Sequence, residues 1–389
     1  MTRYKLSEIC KIVSGSTPKT NVPEYWDGEN VWITPAEITD KTFIVYDSQR
    51  KLSKLGVEKT HLSSFPKGTV ILSSRAPIGK VAIAGVEMFC NQGFKNLICS
   101  EKIMNEYLYW FLKGKTKYLN SLGRGATFKE LSAKIIGNIE LEVPSIQEQK
   151  EVVIRLRKID QIIGVFEREV ELLDELIKAR FVEMFGTIYD KKFDMKTLPD
   201  IVSSDKNSIK RGPFGGALKK EDFLEEGYMV YEQRHAIHED FEYAKYYVSP
   251  EKYESMIGFK VVPGDLIISC SGTLGRIAEV PMGAKEGIIN QALLKISLNK
   301  DIMNNQFFIY QFRSKEIQDM LFGISRGSGI ANMPSMNEVK AFKFICPPLE
   351  LQNQFASFVQ EIDKSRSRIQ KSLEASQELF DSLMQEYFG

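Results

Sequence analysis

Hydroxyl side chains stand beside a cation at two places in this chain: Ser73-Ser74-Arg75 with Lys80, and Ser269 to Thr273 with Arg276. Small hydroxyls donate and accept, and next to a guanidinium or ammonium group they suit phosphate oxygens and base edges. Gly15-Ser16-Thr17-Pro18-Lys19-Thr20 and Arg211-Gly212-Pro213-Phe214-Gly215-Gly216 add two flexible, basic loops that lack a core pattern. Arg124-Gly125 and Arg326-Gly327 form a third pair, each ahead of the last strand of its half. One such loop alone is an ordinary solvated surface. Recurrence in both halves points to a shared nucleic-acid surface, with candidate contacts at Thr17, Lys19, Thr20, Ser74, Arg75, Lys80, Arg124 and Lys129. The second half offers Arg211, Lys219, Arg234, His235, Ser271, Arg276, Arg326 and Ser328.

Other chemistry is hard to find. The chain has no G-x-x-x-x-G-K-[ST] phosphate loop, no G-x-G-x-x-G and no [DNS]-P-P-[YF] tetrapeptide. Cys346-Pro347-Pro348-Leu349 has the prolines of the last motif without its polar and aromatic partners. Pro199-Asp200 begins like a nuclease motif, but no acid two places ahead of a lysine follows it over the next thirty positions, which argues against metal-dependent cleavage. His235-x-x-His238 could offer two metal ligands on one helical turn; Tyr231 to His238 reads instead as strand and loop, with no third ligand near, and a surface or base-contacting histidine is the better fit. His61 has no acid or nucleophile beside it. No catalytic residue and no metal site are assigned.

Composition sets the class. With 389 residues, 43% hydrophobic and 26% charged, the chain is a folded protein of two or three domains. The net charge of +1 hides local clusters: Lys206 to Lys220 carries five cations and no acid, and Lys115 to Lys134 five against Glu130. The five cysteines (Cys10, Cys90, Cys99, Cys270, Cys346) are scattered and never in a C-x-x-C pair, as expected of reduced core residues. The start, MTRYKLSEICKIVSG, has no apolar h-region, and no run approaches the roughly 18 apolar residues of a membrane span. A cytoplasmic location is expected.

The elements that must position these loops are written twice. Pro144/Pro347, Gln149/Gln352, Asp160/Asp363 and Phe185-Gly186/Phe388-Gly389 all stand 203 positions apart. A period of half the chain means two copies of a domain plus a helix. Val152, Leu156, Ile159, Ile163, Phe166, Val170, Leu173, Ile177 and Met184 alternate steps of four and three around Arg180, a heptad seam. The second copy places Phe355, Val359, Ile362, Ile369, Leu373, Phe380, Leu383 and Tyr387 in the same register, interrupted by Arg366 and Ser376. Each helix can reach roughly 40 residues, or ~60 Å, and needs a partner; the other copy matches it in length and register.

Prolines open these helices and Phe185-Gly186 closes the first. The expected domains are therefore 1–143, 187–346, and helical regions at 144–186 and 347–389. Lys67 to Ala84 matches Pro263 to Val280, each with a glycine, a short strand, a polar loop and a second strand. Both globules read as mixed α/β folds rich in short strands.

This order of motifs resembles the specificity subunit of type I restriction-modification enzymes. The likeness rests on Leu6-x-x-Ile9, Gly15-x-Thr17-Pro18, Tyr25-Trp26, Gly68-x-Val70-x-x-Ser73, Asn91-Gln92-Gly93 and Val143-Pro144-Ser-Ile-Gln-Glu148-Gln149, and it spans the chain. The second copy departs at Gly212-Pro213-Phe214-Gly215 and at Gln352-Asn353-Gln354. The resemblance implies two mixed α/β target recognition domains joined by a long antiparallel two-helix coiled coil with pseudo-twofold symmetry. It implies that each globule reads half of a split target in double-stranded DNA, that the rod sets the unread gap, and that two modification subunits and the restriction subunits dock on it. S-adenosylmethionine, ATP and Mg would then belong to those partners and none to this chain. A pseudo-twofold axis would match that of duplex DNA, with surfaces about one turn apart, ~34 Å, and would bring Gly389 near Met1. Two competing classes are a nuclease using His235, His238 and Asp240, and a protein-binding scaffold.

Overall fold

The computed structural model describes residues 2–75, 77–124, 129–187, 190, 192–323 and 333–389. The candidate contacts Arg326 and Ser328 lie outside the described residues. The chain divides into two compact units, residues 1–169 with 369–389 and residues 170–368. No described helix is long and apolar enough to cross a membrane.

In the first unit, the strand Val70–Ser73, apolar up to its closing serine, is buried at every position, as expected of a strand covered on both faces. It pairs antiparallel with Phe94–Cys99 and Val81–Ala84, and the sheet is completed by Cys10–Ser14 on one side and Ile44–Val45 on the other. Trp26–Ile33 organises a second sheet with Arg50–Leu52 and Phe89–Cys90. A ribbon of Thr2–Lys5 with Glu140–Val143 closes the globule next to the long helix. The helix Asn105–Gly114, apolar on most of its circumference, is buried from Tyr107 to Leu112.

The second unit repeats this plan. Leu266–Ser269 lies between Leu293–Ile296 and Ile277–Glu279, with Ile209–Arg211 at the edge. Tyr228–Tyr231 organises the second sheet, Met195–Thr197 pairs with Lys343–Ile345, and Asn305–Arg313 takes the place of the buried helix. One expectation is corrected here. Gln233–His238 is a helix, not strand and loop, because the His235 Nδ1 accepts the Glu232 N–H at 2.9 Å and caps its first turn.

The two seams form Ile146–Phe185 and Leu349–Phe388, uninterrupted helices of 40 residues each. No seam position is exposed, Arg366 and Ser376 included, although the shielded face also takes in neighbours such as Val153, Phe185 and Phe388. In the first unit the beginning of one helix lies beside the end of the other, with Arg155 Nη1 donating to Tyr387 Oη at 3.1 Å. Within the second unit the end of the first helix meets the beginning of the second, where Arg366 pairs with Asp174. Both pairings are antiparallel. The polar Arg366 therefore interrupts the seam with its own partners, Asp174 and, at 2.9 Å, Asp363.

Each helix is fastened to a globule at both ends. Near its start, Gln149 is fully buried; its amide donates to the carbonyls of Lys102 (3.0 Å) and Pro144 (2.9 Å) and its Oε1 accepts the Met104 N–H (2.8 Å). Gln352 repeats this with Ile302 (3.0 Å), Pro347 (2.7 Å) and Asn304 (2.8 Å). All the polar atoms of these amides are thus used, which a buried amide requires. At the far ends, Phe185 packs on Phe307 with ring centroids 4.7 Å apart, and Phe388 packs on Tyr107 at 5.1 Å. Gly186 follows with φ +72°, the left-handed conformation that ends helices. Arg3 and Gly389 line one cavity of the first unit.

Candidate nucleic-acid interface

Each unit carries its candidate loops on the same frame. Gly15 and Gly212 both leave an edge strand where a Cβ would lie 2.1 Å from the Asn91 carbonyl and 1.8 Å from that of Asn290. Only glycine lets the chain cross so closely over the turn at Asn91-Gln92 or Asn290-Gln291. Beyond it, main chain holds the first loop: the Ser16 N–H donates to Cys90 (3.0 Å), and Trp32 Nε1 and Trp26 Nε1 donate to the carbonyls of Ser16 (3.1 Å) and Lys19 (3.2 Å). Thr17 donates to Gln92 Oε1, while the side chains of Lys19 and Thr20 are exposed.

The hydroxyl loops are duplicated closely. Ser73 Oγ donates to the Pro77 carbonyl (2.7 Å) and accepts the Lys80 N–H (2.8 Å); Ser269 Oγ does the same with Thr273 (2.5 Å) and Arg276 (3.0 Å). Gly79 and Gly275 complete these turns at φ +96° and +69°. The serines thus shape the loops, and the cations after them carry the surface. Arg276 is exposed over a cavity of about 450 Å³ shared with Thr273, Arg313 and Gln318. Ser271 is half-buried in the same loop. Lys80 is turned inward, its Nζ donating to the Pro35 carbonyl at 2.9 Å.

In the first unit Arg75 meets Glu130 at 3.7 Å, and so does Lys95 at 3.5 Å. Arg124 pairs with Glu130 through main chain and is exposed, as is Lys129. Ser14, Lys95, Arg124, Glu130 and Lys134 line a cleft of about 750 Å³. One carboxylate among several cations leaves the cleft positive, suited to an anionic backbone. Lys95 and Glu130 were not candidates from sequence. The pairing register places Lys95 opposite Leu72, while the matching position in the second unit, opposite Ile268, is Leu294.

In the second unit Arg211 lies 5.6 Å over the Phe214 ring, Lys219 is exposed, and Arg234 stacks 4.0 Å over Tyr243 with Asp240 at 3.7 Å. Two candidates are corrected. His235 is 1% exposed, with Nδ1 taken by Glu232 and Nε2 donating to the Tyr243 carbonyl at 2.8 Å. Ser74 is fully buried, its hydroxyl donating to the Gly93 carbonyl at 3.1 Å. Both side chains are spent on internal main chain, so neither reaches a ligand and His235 is not free to bind a metal. Among the described residues no group of three His, Cys, Asp or Glu could hold a metal ion. Burial pushes the Cys90 and Cys270 thiols up to about 12, so both stay neutral at ordinary pH.

The family model for the type I restriction modification DNA specificity domain matches residues 1–172 and again 191–377. The MjaIX specificity subunit of Methanocaldococcus jannaschii, a type I restriction enzyme subunit, is 36% identical over 184 residues, 46% of this chain and 43% of that protein. The HindI specificity subunit of Haemophilus influenzae is 26% identical over 166 residues, 42% of this chain and 35% of that one. The chain thus matches less than half the length of these curated relatives. The solved type I S subunit of M. genitalium aligns over 100% of this chain and 96% of its own, with a TM-score of 0.58 and 16% identity. A chain from a structural description of complex assembly and conformational transition in a type I R-M system aligns over 100% and 97%, with a TM-score of 0.61 and 15% identity. These two share the fold.

Proposed function

Because the chain belongs to the family of type I restriction modification DNA specificity domains, we propose that it is the DNA-reading subunit of a type I restriction-modification complex. It reads a split, asymmetric duplex target, one half with each globule. The observation that carries this reading is the duplicated frame with unlike tips: Ser73 and Ser269 build the same turn, while the residues displayed beside it differ. A frame repeated to hold different side chains suits two readers of different base sequences better than one active site. The paired helices set the unread gap and give two modification subunits their docking surface, and restriction subunits join them. The chain performs no chemistry of its own; its partners bring S-adenosylmethionine, ATP and Mg. Arg75 and Arg124 in one unit and Arg211, Arg276 and Lys219 in the other are the DNA-facing cations, with buried Lys95 adding positive charge behind the first cleft.

Methylation mapping of DNA from cells that carry this chain with its modification subunits tests the reading. The expected result is a target of two specified halves around a gap of unspecified bases. A continuous target, or methylation that does not depend on this chain, would overturn it.

A further inference from the structure

Phe214 is 69% exposed, an unusual place for a large aromatic ring. It sits at the corner of a turn whose next two residues, Gly215 and Gly216, hold φ of +66° and +78°. No atom lies within 4 Å of a Cβ built at Gly215, so backbone conformation and not packing demands glycine there. The pair shapes the turn that carries the exposed ring. Beneath it the Arg211 guanidinium lies 5.6 Å from the ring centroid, and Lys219 and Lys220, a few residues on, are exposed. The charged residues of this segment are thus all cations. A protein-docking patch is built from contiguous exposed apolar residues, whereas the other apolar residues of this segment are Pro213, which is buried, Leu218, which is half-buried, and the small Ala217.

We propose that Phe214 is a wedge that enters the base stack of the half-site read by the second unit. An apolar ring inserted between base pairs unstacks a step and is anchored by phosphate contacts from flanking cations, which Arg211, Lys219 and Lys220 supply here. The matching loop of the first unit leaves the sheet through Gly15 in the same way but displays Thr17, Lys19 and Thr20. The distortion therefore belongs to one half of the target alone. This inference rests on the specificity reading above.

The test uses the full chain in complex with its modification subunits, on target duplexes carrying 2-aminopurine at each step in turn. The expected result is a several-fold rise in fluorescence at one step of the second half-site and none in the first. Phe214→Ala should abolish the rise and weaken target binding about tenfold, and Phe214→Trp should keep both. Selective binding without any rise, or a rise that survives in Phe214→Ala, overturns the wedge while leaving the specificity reading in place. Loss of modification-subunit binding in Phe214→Ala with the rise intact would also overturn it, by assigning the ring to a protein contact. A wild-type complex that does not prefer its mapped target over a scrambled duplex sinks both.

Discussion

The two loops that leave their sheets through Gly15 and Gly212 start alike and end differently. Both glycines cross the same asparagine-glutamine turn with no room for a Cβ, yet one loop presents threonines and a lysine and the other a phenylalanine over an arginine. The frame is constrained because main chain crosses main chain there, and no side chain can substitute for that contact. The tips meet no such demand. Duplication therefore preserves what the fold needs and leaves free what a ligand would read.

If the frames are equivalent, breaking the same joint in each unit should cost the same. Gln149→Leu and Gln352→Leu each leave a partly buried N–H and two carbonyls without a partner, for an expected loss of about 3 kcal/mol apiece in chemical denaturation. A large inequality between them would break the comparison. The tips should behave in the opposite way. Arg75→Ala should alter affinity or selectivity only for the first half-site and Arg276→Ala only for the second, by about 1–3 kcal/mol if each reads a base. Binding measured on targets randomised in one half at a time checks this, and an effect that crosses between halves would end the idea of independent reading.

The smallest expected effect lies at the helix starts, where the copies are not alike. Ser145 and Glu148 form a capping box on the first helix, with the Ser145 N–H donating to Glu148 at 2.8 Å and the hydroxyl at 2.7 Å, whereas Pro348 stands at the serine's place in the second. Ser145→Ala should cost about 1 kcal/mol. The bonds from Ser145 hold the Glu148 carboxyl below its ordinary range. Its contribution is therefore present above the unfolded value of about 4.3 and is lost as pH falls through the lower folded value. Wild type should lose more stability than Ser145→Ala across that acid window in pH-dependent melts. Equal losses would show that the cap contributes nothing.

The long-range plan was legible because it rests on patterns that survive in one dimension. Steps of four and three from Val152 to Ile177 mark the face that is shielded, and the proline and Phe-Gly punctuation falls at the helix ends because each acts on its own backbone. Side-chain roles were less legible. Ser74 and His235 have the right chemistry for a ligand and spend it on Gly93 and Tyr243, residues whose proximity only the fold creates. Lys95 was invisible for the converse reason: a lysine inside a strand has no motif, and its meaning comes from Glu130, 35 positions away and outside that strand. The glutamines announced themselves as repeat markers, but their partners could not be read from spacing.

The core of the first unit includes Phe388 and draws Phe380 and Leu383 against it, so residues near position 10 share a core with residues near position 388. On the ribosome this imposes a wait. The first globule emerges with its helix face uncovered, and the segment that covers it, residues 369–389, follows after roughly 200 residues, on the order of ten to forty seconds at ordinary synthesis rates. The second unit needs no such delay, since residues 170–368 are made in one stretch. The half begun first is the half finished last, and an apolar helix face is open to chaperones and to aggregation throughout the interval.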